Sequence, residues 1–249
     1  HWERLTGGTF GCQEIKALAI CSNDPALIYA GTSAGLYKSS DAGVSWTRLG
    51  NGLNVDDNQI WSVAVHPRYP QVLYVGAGDA VYQSIDRGAT WSYANGGLPE
   101  EAIFPLAVHP ENPYIVYAGT KDGIMVTVDA GQTWYPASFG LPDHGRVSVI
   151  AMMPDDPAHM FVGTPAGLYA SNDGGANWRE IEAAAKAGDI LAIAFGAGGL
   201  YIGGNASIVL PSTDGGQTWA QLPQVADSPL IRSIAISDGK ASRLLLGTS

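Results

Sequence analysis

Two carboxyl groups about 5 to 9.5 Å apart can cleave a glycosidic bond, one protonating the leaving oxygen while the other attacks or activates water. Asp57, Glu101 and Asp189 are the candidate carboxylates for such chemistry. Asp57 and Glu101 fall in adjacent copies of a repeated segment, and Asp189 falls one copy before Asp227. No motif spacing selects one pair, and a chain with 23 Asp and Glu offers pairs by chance, so catalysis is the lesser reading. A second group could bind without reacting. Aligned positions of the repeat carry Lys16, Trp61, Phe104, Ser148, Leu191 and Arg232, and the column before it carries Glu14, Gln59, Ala102, Arg146, Asp189 and Leu230. A position that only holds the scaffold would use one residue type. Lys16, Trp61, Phe104, Arg146 and Arg232 instead form either a candidate ligand-binding set, with aromatic platforms for stacking and cations for orientation, or a solvated rim with the two aromatics plugging a channel.

Other motifs dissolve on alignment. Gly31-Thr32-Ser33-Ala34-Gly35 fits the G-x-S-x-G pattern of a nucleophilic serine. Its aligned copy, Gly163-Thr164-Pro165-Ala166-Gly167, has proline in the serine's place, so both read as turns. His66 and His109 each precede a proline at equivalent turns and read as structural. No zinc-ligand spacing occurs, and neither a metal nor a cofactor is expected. Cys12 and Cys21 bracket an extended segment, and at about 3.3 Å per residue they stand too far apart for a disulfide.

The elements that must hold these groups follow from composition and period. The chain has 249 residues, 32 Gly, 15 Pro and only 14% charged residues, which suits short strands and tight turns better than surface helices. The net charge of −10 disfavours a phosphate backbone, so nucleic acid is not an expected partner. No run reaches the roughly 18 apolar residues of a membrane helix, and no membrane insertion is expected. An octapeptide recurs five times: SSDAGVSW ending at Trp46, SIDRGATW at Trp91, TVDAGQTW at Trp134, SNDGGANW at Trp178 and STDGGQTW at Trp219. Its aspartates are Asp41, Asp86, Asp129, Asp173 and Asp214, a spacing of roughly 40 to 45 residues that signals a propeller of four-stranded blades. Asp and Gly in each copy form the turn between the third and fourth strands, and the tryptophan is large enough to cover the seam between blades. Ala19, Ala64, Ala107, Ala151, Ala194 and Ala235 mark the first strand, where a small residue suits crowded inner backbones.

The expected fold is therefore all-β: one domain over residues 1–249, a six-bladed β-propeller of four-stranded antiparallel blades. The last blade would be a composite, with its fourth strand at Trp2-Glu3-Arg4-Leu5 and its first two near Ile231 to Ile236 and Leu244 to Thr248. That blade lacks a third strand unless the natural chain continues.

The five octapeptides resemble the Asp box, Ser-x-Asp-x-Gly-x-Thr-Trp, of bacterial neuraminidase repeats. The chain also looks similar to propellers related to xyloglucan-active endoglucanases, sortilin-type receptors and photosystem II assembly factors. The resemblance implies that the five aspartates and five tryptophans sit on outer hairpins, away from a central funnel lined by the loops between blades. It also implies an extracytoplasmic or secreted setting. A sialidase fits poorly, because that family uses three convergent arginines and only Arg146 and Arg232 map to the funnel. The dense arginine patch of the assembly factors is missing too. The expected function is a binding or scaffold module that engages a glycan or a protein partner through the funnel or a blade face. The alternative is a glycoside hydrolase using two funnel carboxylates.

Overall fold

The computed structural model describes residues 14–53, 59–78, 80–99, 105–143, 145–196, 199–224, 230–237 and 243–248. The first repeat forms β1 (Ile15–Cys21), β2 (Asp24–Thr32), β3 (Gly35–Ser39) and β4 (Thr47–Leu49). The second forms β5 (Ile60–Val65), β6 (Leu73–Ala77), β7 (Ala80–Ser84) and β8 (Ser92–Tyr93). The third forms β9 (Leu106–Val108), β10 (Val116–Thr120), β11 (Gly123–Thr127) and β12 (Tyr135–Pro136). The fourth forms β13 (Val149–Met153), β14 (Asp156–Thr164), β15 (Gly167–Ser171) and β16 (Arg179–Glu180). A 3-10 helix, Glu182–Ala187, leads to β17 (Ile190–Gly196), β18 (Gly199–Gly204) and β19 (Val209–Ser212), and the described chain ends with β20 (Ile231–Ser237) and β21 (Arg243–Thr248).

Each of the first four repeats is a four-stranded sheet in chain order, as expected of a propeller blade. In the fifth, the amides of Ala220 and Leu222 donate to the carbonyls of Pro211 and Val209, so residues 220–222 take the fourth place beside β19. Among the described residues the sixth blade is not formed: the chain is an all-β propeller of five four-stranded blades followed by the two-stranded pair β20–β21. Those two strands repeat only the first half of the pattern, and two strands without a third are a hairpin, not a blade. The segment Trp2 to Leu5, expected to complete a composite blade, lies outside the described residues.

The described structure divides into two compact units, His1–Ala118 with Met125–Tyr135 and Gly119–Ile124 with Pro136–Ser249, the division running through the third sheet. In the first unit, Tyr29, Leu36, Ile60, Leu73, Val75, Tyr82 and Trp91 bury one core between the first two blades. A second core gathers Tyr74, Val81, Leu98, Leu106, Val116 and Trp134. In the second unit, Phe161, Leu168, Ile190, Leu200, Ile202 and Leu210 form the core between the fourth and fifth blades.

The alanine column has a local cause that crowding alone does not supply. Ala19 pairs with Tyr29, Ala64 with Tyr74, Ala107 with Tyr117, Ala151 with Phe161 and Ala194 with Tyr201. A methyl group stands opposite an aromatic ring each time, so the pair keeps a constant volume on the sheet face. The imidazoles of His66 and His109 are turn braces. The Nδ1 of His66 accepts from the amides of Arg68 and Tyr69, and that of His109 from Glu111 and Asn112, which requires the neutral ring in both. Burial holds both imidazoles below their usual titration range.

Candidate functional site

The variable column lies on a backbone irregularity. Ile15 pairs with Thr32 but Ala17 with Gly31, so Lys16 is the extra residue of a β-bulge. Trp61 is bulged in the same way between Ile60 and Ser62, Leu191 between Ile190 and Ala192, and Arg232 between Ile231 and Ser233. In the fourth blade Ser148 donates its amide to Gly163, which also faces Val149. A bulge leaves one residue out of the ladder and re-aims its side chain. In the first, second and fifth blades the first strand therefore keeps a constant packing register while one position is taken out of it.

Glycines on the second strands of three blades let the next first strand come close. A Cβ on Gly31 would lie 2.7 Å from the Cγ2 of Ile60 and 2.9 Å from its carbonyl oxygen. On Gly163 it would lie 2.6 Å from the Ile190 carbonyl oxygen, and on Gly203 2.8 Å from the Cγ2 of Ile231. Those are closer than real Cβ contacts, so the first strand of one blade seats on the second strand of its predecessor only over bare backbone.

In the first unit the column brings two expected residues together. The ammonium of Lys16 lies 4.8 Å from the Trp61 ring centroid and 2.7 Å from Glu14 Oε2. Lys16 is 18% exposed and Glu14 70% exposed, while Trp61 is half-buried. Lys16 is thus paired with Glu14 and steered over the Trp61 ring. The product is an aromatic ring with an ion pair over one face.

The remaining candidates are placed separately. Arg146 lies exposed on the segment entering β13, and Arg232 lies exposed on β20. Asp189 is half-buried before β17; its amide donates to Asn205 Oδ1 at 3.0 Å, and its carbonyl accepts from the Asn205 amide. Asp57, Glu101 and Phe104 lie outside the described residues. Sequence reading missed Asn205 as the anchor of the Asp189 turn, although its place just after the second strand of the repeat was visible.

The octapeptide corners are built by one bonding pattern. At the first, Ser39 donates to Asp41 Oδ1 at 2.7 Å, Asp41 Oδ1 also accepts from the Ser45 amide, and Asp41 Oδ2 accepts from the Ser45 hydroxyl. Ser39 Oγ then accepts from the Gly43 amide. The same bonds recur around Asp86, Asp129, Asp173 and Asp214, with Asn177 replacing the second hydroxyl in the fourth. The side-chain donor immediately before each tryptophan and the accompanying amides pull each of the five carboxyls down to about 2.

The tryptophans do two jobs. Trp46, Trp91 and Trp219 donate Nε1 to a glycine carbonyl of their own corner, whereas Trp134 donates to Ala94 and Trp178 to Ala137 on the preceding blade. The main chain also hooks the seam: the amides of Trp91 and Trp178 donate to Asn51 and Phe139. The next residue, Gly52 or Gly140, has φ near +90°, and a Cβ there would strike the tryptophan carbonyl. The carboxylates of the five corners thus face their own turns.

Comparison with known proteins agrees with this architecture. The Sortilin-Vps10 family pattern (sortilin, neurotensin receptor 3) matches residues 79–189. No curated protein matches the sequence. Among solved structures, an ancestral GH74 enzyme superposes with a TM-score of 0.78 at 20% identity, covering 99% of this chain and 36% of its own. The extracellular domain of a hybrid two-component system from B. thetaiotaomicron gives 0.76 at 16% identity, covering 99% and 33%. YCF48 bound to D1 peptide gives 0.52 at 18% identity, covering 95% and 91%. The chain thus spans about a third of the length of the first two. Five four-stranded blades, each cornered by a shared Ser/Thr–Asp–Gly–Trp bonding pattern, give this chain a β-propeller fold.

Proposed function

We propose that this chain is a non-catalytic binding module that takes a glycan on the bulge-borne side chains of its first strands. One observation carries the reading: in the first, second and fifth blades and in β20–β21 a bulge takes a single residue out of the ladder, and those residues differ while the ladder around them repeats. The Trp61 surface with its Lys16–Glu14 edge offers stacking and directional hydrogen bonds to a sugar ring. The likeness to GH74 structures, one of them a xyloglucanase from Xanthomonas campestris, guides the choice of probe.

Titration calorimetry with xyloglucan and cello-oligosaccharides, run beside a reducing-end assay, tests the proposal. Saturable binding without new reducing ends is expected, with Trp61→Ala weakening it about tenfold or more, the ratio that 1.4 kcal/mol gives. Turnover that disappears in Asp189→Asn would replace this reading with hydrolysis.

A further inference from the structure

The seam between the first two blades contains a lysine that the seam between the fourth and fifth lacks. In the first seam, Lys38 projects from β3 and donates its ammonium to the Arg87 carbonyl at 3.1 Å, 5.9 Å from the Tyr29 ring centroid. Tyr29 donates its hydroxyl to the same carbonyl at 3.0 Å. Arg87 follows the box aspartate Asp86, so the carbonyl belongs to the octapeptide corner of the next blade. The second blade fills the corresponding space with Gln83, whose amide donates to the Tyr74 hydroxyl at 2.7 Å.

Three substitutions strip the fourth blade of these groups. Ala170 occupies the place of Lys38 and Gln83, Phe161 that of Tyr29 and Tyr74, and His159 that of Leu27 and Val72. The corner carbonyl equivalent to that of Arg87 belongs to Gly215, and among the described residues it accepts from no donor. A cleft of about 530 Å³ opens there, lined by His159, Ala170, Arg179, Glu180, Asp214 and Gln217. The His159 ring stacks on Phe161 at 4.8 Å and walls the cleft. Glu180, Glu182 and Asp214 set three carboxylates against the one guanidinium of Arg179 at its rim.

We infer that this cleft binds a primary alkylammonium group, which would sit where Lys38 sits in the first seam. The cation would donate to the Gly215 carbonyl, meet the His159 ring that stacks over Phe161, and lie near Asp214 as Lys38 lies near Asp86. The molecule supplies its own template for the site: the first seam shows the ammonium, the carbonyl and a ring together, and the fourth blade retains the carbonyl and sets the His159 ring over the buried Phe161. An acidic rim favours a cation over an anion or a neutral alcohol. The same chemistry occurs in a free diamine and in a lysine side chain of another polypeptide.

Amide chemical shifts of Ala170, Gly215 and Gln217 in the full chain report binding at this place. Cadaverine and Nα-acetyl-lysine N-methylamide distinguish the two sources, and the norleucine analogue of the latter removes the charge. Saturable shifts at these amides are expected with at least one of the two amines by about 20 mM, and none with the norleucine analogue. Stronger response to the lysine derivative would assign the site to a polypeptide, stronger response to cadaverine to a free amine. Ala170→Lys, which restores the first seam's arrangement, is expected to weaken the amine at least tenfold and raise Tm. Lys38→Ala should open a second amine site reported by the Arg87 and Gly88 amides. Equal response to the uncharged analogue, absence of saturation with both amines, or amine binding unchanged in a folded Ala170→Lys variant would overturn the inference.

Discussion

At the corner between its third and fourth strands, each of the five blades makes the same pattern of hydrogen bonds, from Ser39 and Asp41 through to Ser212 and Asp214, with the Asn177 side-chain amide in place of a hydroxyl in the fourth. At the bulge in the first strand the residues are Lys16, Trp61, Leu191 and Arg232, and the backbone register is what repeats. The corner satisfies amides by means of a side chain, so it tolerates only residues with the right acceptor and donor. The bulge satisfies its geometry with backbone alone, so its side chain is free to vary. Repetition therefore marks where side chains build the fold, and variation marks where the fold has released a side chain for other work.

The sharpest way to break the corner-and-seam half of this comparison is Gly140→Ala. Its φ of 93° is costly for alanine, and the new Cβ would meet the Trp178 carbonyl across the seam. A loss of about 3 kcal/mol or more in denaturant unfolding is expected. An unchanged midpoint would show that the tryptophan hook does not hold the seam.

Acid provides a second, smaller break. The five box carboxyls titrate at about 2 in the folded chain, below the ordinary value of 3.8. A depressed folded pKa means that the unfolded chain takes up protons first as pH falls. The stabilisation is complete above pH 3.8 and is lost on the way down to about 2. Thermal melts should show Tm dropping through that window, with a shallower slope in Asp129→Asn, which has one titrating corner fewer.

The smallest effect sharpens the comparison among the corners themselves. The residue after the box aspartate is left-handed in all five: Ala42, Arg87 and Ala130 have φ of 57°, 61° and 63°, while the last two corners use Gly174 and Gly215. The αL strain of an alanine exceeds the extra chain entropy of glycine, so Ala130→Gly should stabilise the chain by about 0.5 to 1 kcal/mol. A loss of stability in chemical denaturation would mean that the alanine methyl makes a packing contact worth more than the strain.

Much of this was legible in the sequence because it is local. Asp, Gly and Trp at fixed offsets announce a turn, and alternating segments on either side announce its strands. The blade count was misread because Ile231 to Thr248 matches the first half of a repeat, and half a repeat has the periodicity of a blade without its third and fourth strands. Lys16 and Trp61 were picked out by their variation, but their bulge was invisible, since an added residue changes the pairing register without changing residue types. The Glu14 partner of Lys16 was hidden for the same reason: at a regular strand two residues apart share a face, but nothing in the sequence said that these two would close an ion pair over a ring. The cleft beside Ala170 needed three substitutions to be read at once, and each alone looks like ordinary drift.

Calorimetric titration of Trp61→Ala and Asp129→Asn with the same oligosaccharide, each variant verified as folded by its melt, addresses the division of labour directly. The expected result is that Trp61→Ala loses about tenfold or more in affinity with little change in Tm, while Asp129→Asn binds as the parent chain does and melts earlier. Loss of affinity in Asp129→Asn with Trp61→Ala unaffected would contradict it, and would move the binding surface to the Asp-box rim.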